Sequence, residues 1–317
     1  MARVPVSGEQ HVLRAGEYDA IVASVGASLR SLTHRGRDLV VPFGADELRP
    51  GFRGATLAPW PNRIVDGRYT FDGEEYQVAL SEPDRGHALH GLLGWSDFSV
   101  TDKGPSHVTL AATVEPQSGY PWRVEVETTF ALSSEGLTQS VTARNDSATA
   151  APWGTGPHPY LVAGDGLVDA WTLTLPAAEV LEVTPDRLSP TELSPVDVDA
   201  DRFDFRVARA LGAVEIDHAF TSLERDDDGL ATVTVTDAAG NGVAMDWDST
   251  CPWVQIHTAD VDGDPATPGY RVGLAVEPMT CAPDAFNDAA YPFDAGLIVL
   301  EPGVQHPGAR WRIRAIG

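Results

Sequence analysis

One histidine of this 317-residue chain lies between two prolines, in the stretch WGTGPHPYLV at residues 153–162. Pro157 fixes its own φ at about −65°, and Pro159 favours an extended backbone at His158, the residue before it. An imidazole has an unperturbed pKa of about 6.5 and can therefore donate or accept a proton near neutral pH. A histidine held this rigidly is a candidate for general acid or base chemistry.

A carboxylate and an amide fall on the polar sides of two other segments. In YRVGLAVE (270–277), Glu277 lies on the face opposite the valines and leucine, beside glycine and alanine. In WVQIHT (253–258), Gln255 and His257 lie opposite the apolar residues. Successive side chains of a strand point to opposite faces, so these two strands could form the floor of a polar cleft.

Three further stretches carry polar side chains suited to binding or proton transfer. PNRI contains Asn62 and Arg63, ALHG contains His90, and IDHAF contains Asp217. Each has a structural interpretation too: the arginine could brace a hairpin, the aspartate could cap a turn, and the histidine could bond within its loop. We interpret the remaining histidines of the motif regions as structural or surface residues, namely His87, His107, His218 and His306.

The elements that must position these residues are strands. Apolar and polar residues alternate in WRVEVETTFAL, ATVTVTDAAGNGVAMDW and RWRIRAI, and 30 glycines and 24 prolines punctuate the chain, as in a β-sandwich. Asp72-Gly73 and Asn241-Gly242 predict tight hairpin turns. PDAFNDAA (283–290) predicts at most one helical turn. The pattern predicts one all-β domain over residues 1–317, a large antiparallel β-sandwich.

The amino-acid composition and net charge argue against several classes of binding partner. The formal net charge of −24 repels nucleic acid and anionic membranes, so we expect neither as a partner. No stretch has the length and apolarity of a signal peptide or a membrane span, and two cysteines, Cys251 and Cys281, fit a reducing compartment. We therefore expect a cytoplasmic protein. Without a metal-ligand motif, a phosphate loop or a nucleophilic serine elbow, we expect no metal and no cofactor.

Taken together, these stretches resemble the aldose 1-epimerase (galactose mutarotase) family, in a divergent branch. The resemblance covers most of the chain, and its strength lies in the order and spacing of motifs that are individually weak. The matching stretches are YDAIVASVGASLRSLTHRGRDLVVPF, PNRI, ALHG, GPHPYL, IDHAF, WVQIHT, AVEP and VLEPGVQHPGARWRIR. The sequence departs from the well-known members at Leu92 after the L-H-G stretch, at Pro157 before the second histidine, and in the PMT run after the glutamate.

The resemblance implies a galactose mutarotase-like supersandwich and an enzyme, an aldose 1-epimerase that interconverts the α and β anomers of a free aldohexose such as glucose or galactose. It implies that Glu277 is the catalytic glutamate and that His90 and His158 are the two site histidines. From the chemistry of ring opening, we assign Glu277 as the catalytic base, His158 as the catalytic acid and His90 as a third catalytic residue that stabilises charge. The resemblance also implies that the sugar hydroxyls are bound by Asn62, Arg63, Asp217 and Gln255. A small monosaccharide would be the partner, and the protein a monomer or weak dimer.

Two other functions stay open from the sequence. A sugar-phosphate epimerase of the same superfamily would need arginines converging on the phosphate; Arg53, Arg63 and Arg85 lie in suitable stretches, but the net charge of −24 opposes an anionic substrate. A non-catalytic carbohydrate-binding sandwich would leave the Glu277 and His158 pair without a role.

Overall fold

The computed structural model describes residues 3–317, apart from the side chain of Asp262. Strands dominate it. In chain order they are β1 (Gln10–Ala15), β2 (Tyr18–Ala23), β3 (Ser28–His34), β4 (Arg37–Asp38), β5 (Thr56–Leu57), β6 (Arg63–Ile64), β7 (Arg68–Phe71), β8 (Glu74–Gln77), β9 (Ala88–Leu89), β10 (Ser99–Lys103), β11 (His107–Val114), β12 (Val124–Ser133), β13 (Gly136–Asn145), β14 (Ala151–Trp153), β15 (Gly156–Pro157), β16 (Tyr160–Leu161), β17 (Thr172–Thr174), β18 (Ala177–Val183), β19 (Pro190–Pro195), β20 (Arg209–Ala210), β21 (Asp217–Leu223), β22 (Ala231–Thr236), β23 (Gly242–Trp247), β24 (Trp253–His257), β25 (Leu274–Met279), β26 (Ile298–Leu300) and β27 (Gln305–Ile316).

Within residues 3–317, helical structure consists of short turns. The α-helix α1 spans Ala200–Phe203, and 3₁₀ turns occupy Pro50–Phe52, Val65–Gly67, Val168–Ala170, Val196–Asp199, Val261–Gly263 and Ala285–Ala290. The last of these falls in PDAFNDAA, for which the sequence predicted at most one helical turn, but its six residues form two short turns joined at a kink at Asn287 (φ −105°). Among the helices of residues 3–317, none is long and apolar enough to cross a membrane.

Two large sheets form the body of the molecule. One has nine strands in the order β10-β11-β12-β13-β27-β23-β22-β17-β20, and the other has six in the order β16-β25-β24-β21-β18-β19. Neighbouring strands in both are antiparallel. One buried apolar cluster contains Phe130 and Trp311 of the first sheet with Phe220, Val254 and Val276 of the second. The sheets thus share a core, which confirms the predicted antiparallel sandwich class.

The smaller sheets are a four-stranded one, β1-β2-β3-β4, and the pairs β14-β26, β15-β5, β6-β9 and β7-β8. The pairs β15-β5 and β6-β9 matter for function, because they carry the segments beside His158, Arg63 and His90.

Alternation along β24 and β25 sets the polar floor expected from the sequence. Val254, Ile256 and Val276 enter the core, while Gln255 and Glu277 face a cleft and lie opposite each other in the register of the two strands. Because one strand residue in two points each way, the apolar packing of three side chains fixes the direction of the two polar ones.

The two predicted hairpins have different outcomes. Asp72 and Gly73 form the two-residue turn between β7 and β8, with φ of 51° and 81°, as a type I′ turn requires. The prediction for Asn241-Gly242 was wrong in position, because Gly242 already pairs with Thr236. The turn is residues 237–241, held by the Asp237 carboxylate, which accepts hydrogen bonds from the backbone N–H groups of Ala239 (2.8 Å) and Asn241 (2.9 Å).

Candidate active site

A cleft of about 330 Å³ opens above the six-stranded sheet. All seven residues singled out from the sequence line it: Asn62, Arg63, His90, His158, Asp217, Gln255 and Glu277. They come from six separate parts of the chain, so their convergence is a property of the fold. Phe52, Tyr160 and His257 complete part of the wall.

Glu277 and His158 form the closest acid/base pair in this cleft. His158 Nε2 lies 3.4 Å from Glu277 Oε1, and Glu277 is 2% and His158 5% exposed. Burial, followed by the charge of Asp217, holds the pKa of Glu277 well above its usual range. Burial, followed by the charge of His257, lowers the pKa of His158 to about 3. The pair therefore carries one proton over a wide pH range.

The backbone around His158 is fixed on both sides. Its N–H donates to Ala55 O (3.1 Å), and its carbonyl accepts from Gly54 N (2.7 Å). The preceding β15 pairs with β5, and a Cβ on Gly156 would lie 2.8 Å from Pro278 O, so glycine permits the close approach of the loop to β25. Backbone hydrogen bonds therefore add to the rigidity that the two prolines give His158.

His90 has a defined tautomer. Its Nδ1 accepts a hydrogen bond from the backbone N–H of Asn62 at 3.2 Å, which leaves the proton of a neutral ring on Nε2. Burial, followed by the charge of His158, lowers the pKa of His90 well below its usual value. The ring therefore stays neutral and offers one N–H donor. Its centroid lies 4.9 Å from that of His158, edge to face.

The backbone that delivers these groups is strained. Asn62 and His90 have φ of 53° and 60°, in the left-handed region that non-glycine residues seldom occupy. Gly91 follows with φ of 73°, and a Cβ there would lie 2.2 Å from Ala58 O. The L-H-G stretch needs its glycine for this reason. Strain of this kind concentrates at functional sites.

Arg63 is held between two carboxylates. Its Nε and Nη2 donate to Glu82 at 2.8 and 3.0 Å, and Nη2 lies 3.8 Å from Asp217 Oδ2. Although burial alone would lower the pKa of Arg63, Asp217 and Glu82 raise it. Burial likewise opposes ionisation of Asp217, but His257, Arg63 and the Gln255 N–H together lower its pKa. Both groups are thus charged at neutral pH.

Several polar atoms in the cleft have no partner within residues 3–317. They are His158 Nδ1, Gln255 Oε1, His257 Nδ1 and Glu277 Oε2, and Gln255 uses its Nε2 to donate to Asp217 Oδ1 at 2.6 Å. Buried polar atoms are normally satisfied. Four such atoms around one cleft indicate a site that binds the hydroxyl groups of a polar ligand or water molecules.

Sequence reasoning missed several residues of the site. Glu82, which orients Arg63, has no distinguishing neighbours in the sequence. Phe52 lies with its ring 4.8 Å from that of His90, and Tyr160 stacks on His158 at 5.2 Å; aromatic residues in loops carry no signal that separates them from core. His257 lies on the polar face of WVQIHT, and this position beside Gln255 is a signal from which its place in the site could be predicted.

Two of the histidines interpreted as structural differ in their surroundings. His87 is fully buried, with Nδ1 accepting from Asp66 N (3.2 Å) and Nε2 donating to Arg187 O (2.9 Å), so both ring nitrogens are used within the fold. His218 instead lines a second cavity.

Both cysteines are buried and free. Within residues 3–317 no group of three or more metal-ligating side chains is placed to hold a metal ion.

The fold and the cleft together describe a β-sandwich with an open polar site on one sheet, and comparison with known proteins agrees with this. The family model for aldose 1-epimerase matches residues 9–309. The chain belongs to the aldose 1-epimerase family. It is 35% identical to the uncharacterized protein YihR of Escherichia coli over 95% of this chain and 91% of that protein.

More distant relatives also match this chain over nearly its whole length. Galactose mutarotase of Rattus norvegicus is 27% identical over 96% of this chain and 93% of its own length. The crystal structure of a GalM/aldose epimerase homologue from C. elegans superimposes with a TM-score of 0.81 at 20% identity, covering 97% of this chain and 99% of that one. The fold is therefore galactose mutarotase-like.

Proposed function

We propose that this protein is an aldose 1-epimerase that interconverts the α and β anomers of a free aldohexose such as glucose or galactose. The observation that carries the proposal is the buried Glu277–His158 pair, 3.4 Å apart, in a cleft whose other polar groups suit hydroxyl binding. Mutarotation opens the hemiacetal, turns the aldehyde about the C1–C2 bond and recloses the ring. It needs one base and one acid, and the pair supplies both.

The roles of the site residues follow from the two proton transfers that ring opening requires. Glu277 takes the proton of the C1 hydroxyl while His158 delivers a proton to the ring oxygen, and the C1–ring oxygen bond breaks. Reclosure on the other face of the aldehyde reverses both transfers, so no proton is gained or lost in a cycle. His90, with its Nε2–H, stabilises the oxygen on which charge develops. Asn62, Arg63, Asp217 and Gln255 hold the remaining hydroxyls, as the family resemblance implies.

Burial disfavours the charged form of each member of the pair, the carboxylate of Glu277 and the imidazolium of His158. A raised pKa for Glu277 and a lowered one for His158 both favour the state with the proton on Glu277. Ring opening requires the other arrangement, with the proton on His158. Hydroxyl groups of the bound sugar and the nearby charge of Arg63, which opposes the rise in the pKa of Glu277, stabilise the carboxylate form in the complex.

This one-proton pair predicts an unusual pH profile. Because the pKa of His158 lies at about 3, we expect kcat/KM to stay level down to about pH 5. Because the pKa of Glu277 is raised, the single shared proton is lost only at pH well above the usual carboxyl range, and kcat/KM then falls. Measuring kcat/KM from about pH 4.5 to 10, with circular dichroism to confirm folding, tests this. An acid-side fall centred near the ordinary histidine pKa, about 6.5, would contradict it.

Two-dimensional NMR exchange spectroscopy of equilibrated glucose and galactose tests the reaction itself, because enzyme-catalysed anomer exchange gives cross-peaks between the two C1 protons. Glucose 6-phosphate in the same assay separates the alternative, a sugar-phosphate epimerase. The cleft opposes that alternative, since Glu82 binds both Arg63 and Arg85 (2.9 Å). Sugar binding without exchange would support a non-catalytic binding module and remove the proposal.

Arg63 is expected to act mainly in binding. Replacing it with alanine removes a charged hydrogen-bond donor to the sugar, for which we expect KM to rise about 10- to 100-fold, with a smaller change in kcat. It also leaves Glu82 and Asp217 without their shared cation, so Tm falls as well. Steady-state kinetics of Arg63→Ala and Arg63→Lys separate the two effects. If Tm falls while KM is unchanged, Arg63 only braces the loop.

A further inference from the structure

Arg49 is a buried arginine near the active-site histidines that takes no part in the reaction described above. It is 5% exposed. Its Nη1 donates to Val25 O at 3.1 Å and to Ser28 Oγ at 2.6 Å, and its Nη2 donates to Gly94 O. All three partners are neutral. Burial lowers the pKa of Arg49 to about 10, so the side chain is still a cation at neutral pH.

The bonds of this cation connect three segments of the chain. A charge that is buried among neutral groups is costly, so the segments that it joins indicate what it does. One is the start of β3. Another, ending at Gly94, follows His90 in the sequence. The third is the loop 49–55, which begins at Arg49 and whose last two residues bond the backbone of His158. Arg49 thus links the two parts of the chain that hold the site histidines.

The ring of Phe52 in this loop packs on both histidines, and we call Phe52, His90 and His158 the ring cluster. The centroid of Phe52 lies 4.8 Å from that of His90 and 6.4 Å from that of His158. Arg49 Cζ lies 5.9 Å from the centroid of Phe52 and 4.5 Å from that of Trp95, within the range of a cation–π contact. Arg49 therefore packs on Phe52, and Phe52 packs on the two histidines.

Packing matters more for the ring of His158 than for that of His90. His90 Nδ1 accepts a backbone hydrogen bond, whereas His158 Nδ1 has no partner within residues 3–317. Apart from the contact with Glu277, the ring of His158 is oriented by the packing of Phe52 and of Tyr160, which stacks on it at 5.2 Å. A proton donor must lie about 2.6–3.2 Å from the oxygen that it protonates, so the direction of this ring matters for the reaction.

The backbone of Phe52 needs support from its surroundings. Its φ is 54°, in the left-handed region, and such conformations persist where the surrounding structure holds them. The 3₁₀ turn Pro50–Phe52 directly follows Arg49, and Ala55 N donates to Phe52 O at 2.9 Å. The bonds of Arg49 anchor the beginning of this turn. Without them, we expect the turn to relax and the Phe52 ring to move away from the histidines.

We propose that Arg49 is a positioning residue for anomer exchange. It holds the Phe52 ring against His90 and His158, and thereby fixes the direction in which the imidazole of the catalytic acid points. The effect on the rate rests on the proposed function, whereas the effect on the rings does not. Arg49 is not among the described residues that line the cleft, so its replacement leaves the hydroxyl-binding residues in place.

Replacing Arg49 with methionine keeps an unbranched chain but removes the guanidinium. We expect kcat for glucose to fall about 10- to 100-fold, as for a small displacement of a proton donor, while Kd from calorimetry changes less than about threefold. Arg49→Lys keeps the charge but loses the planar, stacking group, so we expect a similar loss. If lysine restored the kcat of the parent, charge alone would be sufficient and the positioning role would be overturned.

Arg37→Met is the matched control. Arg37 also joins separate segments through backbone carbonyls, because its Nη2 donates to Gly242 O at 2.9 Å and to Ile316 O at 3.1 Å, and it is not among the described residues of the cleft. We expect Tm to fall in both methionine variants but kcat to fall only in Arg49→Met. A loss of kcat that is equal in the two variants, or absent from both, would overturn the inference.

Phe52→Leu tests the same contact from its other side, and it replaces Arg49→Met if that variant does not fold. We expect a similar loss of kcat. In the double variant the loss should stay within about threefold of the larger single loss, because both substitutions remove one contact. A loss near the product of the two single losses would show that Arg49 does not act through Phe52, and would contradict the inference.

Long-range ¹H–¹⁵N NMR spectra of the histidine rings, recorded without sugar, report the placement of the ring cluster directly. We expect the ring signals of His90 and His158 to shift or broaden in Arg49→Met, while those of His107 on β11 stay unchanged. Unchanged signals of His158 would overturn the inference even if kcat falls. If the parent protein shows no exchange with any aldose, the proposed function fails, and these spectra still decide whether Arg49 places the rings.

Discussion

Replacing Glu277 with glutamine is expected to lower kcat for anomer exchange by about 10²–10⁴ or more, while the sugar still binds. Glutamine keeps the size of the side chain and a polar oxygen near His158, but it cannot accept the proton of the C1 hydroxyl. Asn62, Arg63, Asp217 and Gln255 remain in place to hold the other hydroxyls. Calorimetry for binding and NMR exchange for turnover, on one sample, separate the two quantities.

The same variant is expected to be more stable than the parent at alkaline pH. The pKa of Glu277 is raised in the folded state, whereas an unfolded glutamate ionises at about 4.3. Between these values the folded state holds a proton that the unfolded state has lost, so the stability of the parent falls as pH rises through this window. Glutamine does not titrate. We therefore expect Tm of Glu277→Gln to exceed that of the parent by about 1–3 °C at pH 8, and the difference to vanish near pH 4.

A matched control is Glu135→Gln, which removes an exposed carboxylate from the turn between β12 and β13, away from the cleft. It should leave kcat for glucose unchanged. Normal exchange by a folded Glu277→Gln variant would remove Glu277 from the mechanism, and a lower Tm at every pH would show that the carboxylate stabilises the fold.

The sequence predicts the position of a site residue where the alternation of apolar and polar residues along a strand fixes the face on which its side chain lies. On β24 and β25, packing of Val254 and Val276 into the core leaves Gln255 and Glu277 with only one direction to point, and sequence alone carries that information. His158 was identified through Pro157 and Pro159, whose backbone restrictions are local. That residues 1–317 form one domain stays a prediction.

What the sequence could not provide are the contacts made between distant segments. Glu82 meets Arg63 through a chain reversal of 19 residues, and Phe52 meets His90 from a different loop. The tautomer of His90 depends on a backbone N–H 28 residues away. The misplaced turn at Asn241-Gly242 has a related cause, because an Asp237 side chain that bonds two backbone N–H groups outweighs the turn preference of the dipeptide.

Replacing His158 with asparagine is expected to lower kcat by about 10²–10⁴ as well, with the fold retained. The backbone of residue 158 is held by Gly54 and Ala55, and this support does not depend on the imidazole. Asparagine can still hydrogen-bond to Glu277, but it cannot carry a proton to the ring oxygen. A change in Tm alone would indicate that the ring serves only to pack against Tyr160 and His90.

The double variant Glu277→Gln/His158→Asn decides whether the two residues act as a unit. Groups that transfer protons in one concerted cycle show losses that do not add, because removing either one already stops the cycle. We therefore expect kcat of the double variant to lie within about tenfold of the slower single variant. Two independent contributions would instead multiply, giving a combined loss near the product of the single losses. Such a product, measured by NMR exchange at saturating glucose, would contradict the shared-proton pair and leave His158 acting separately from Glu277.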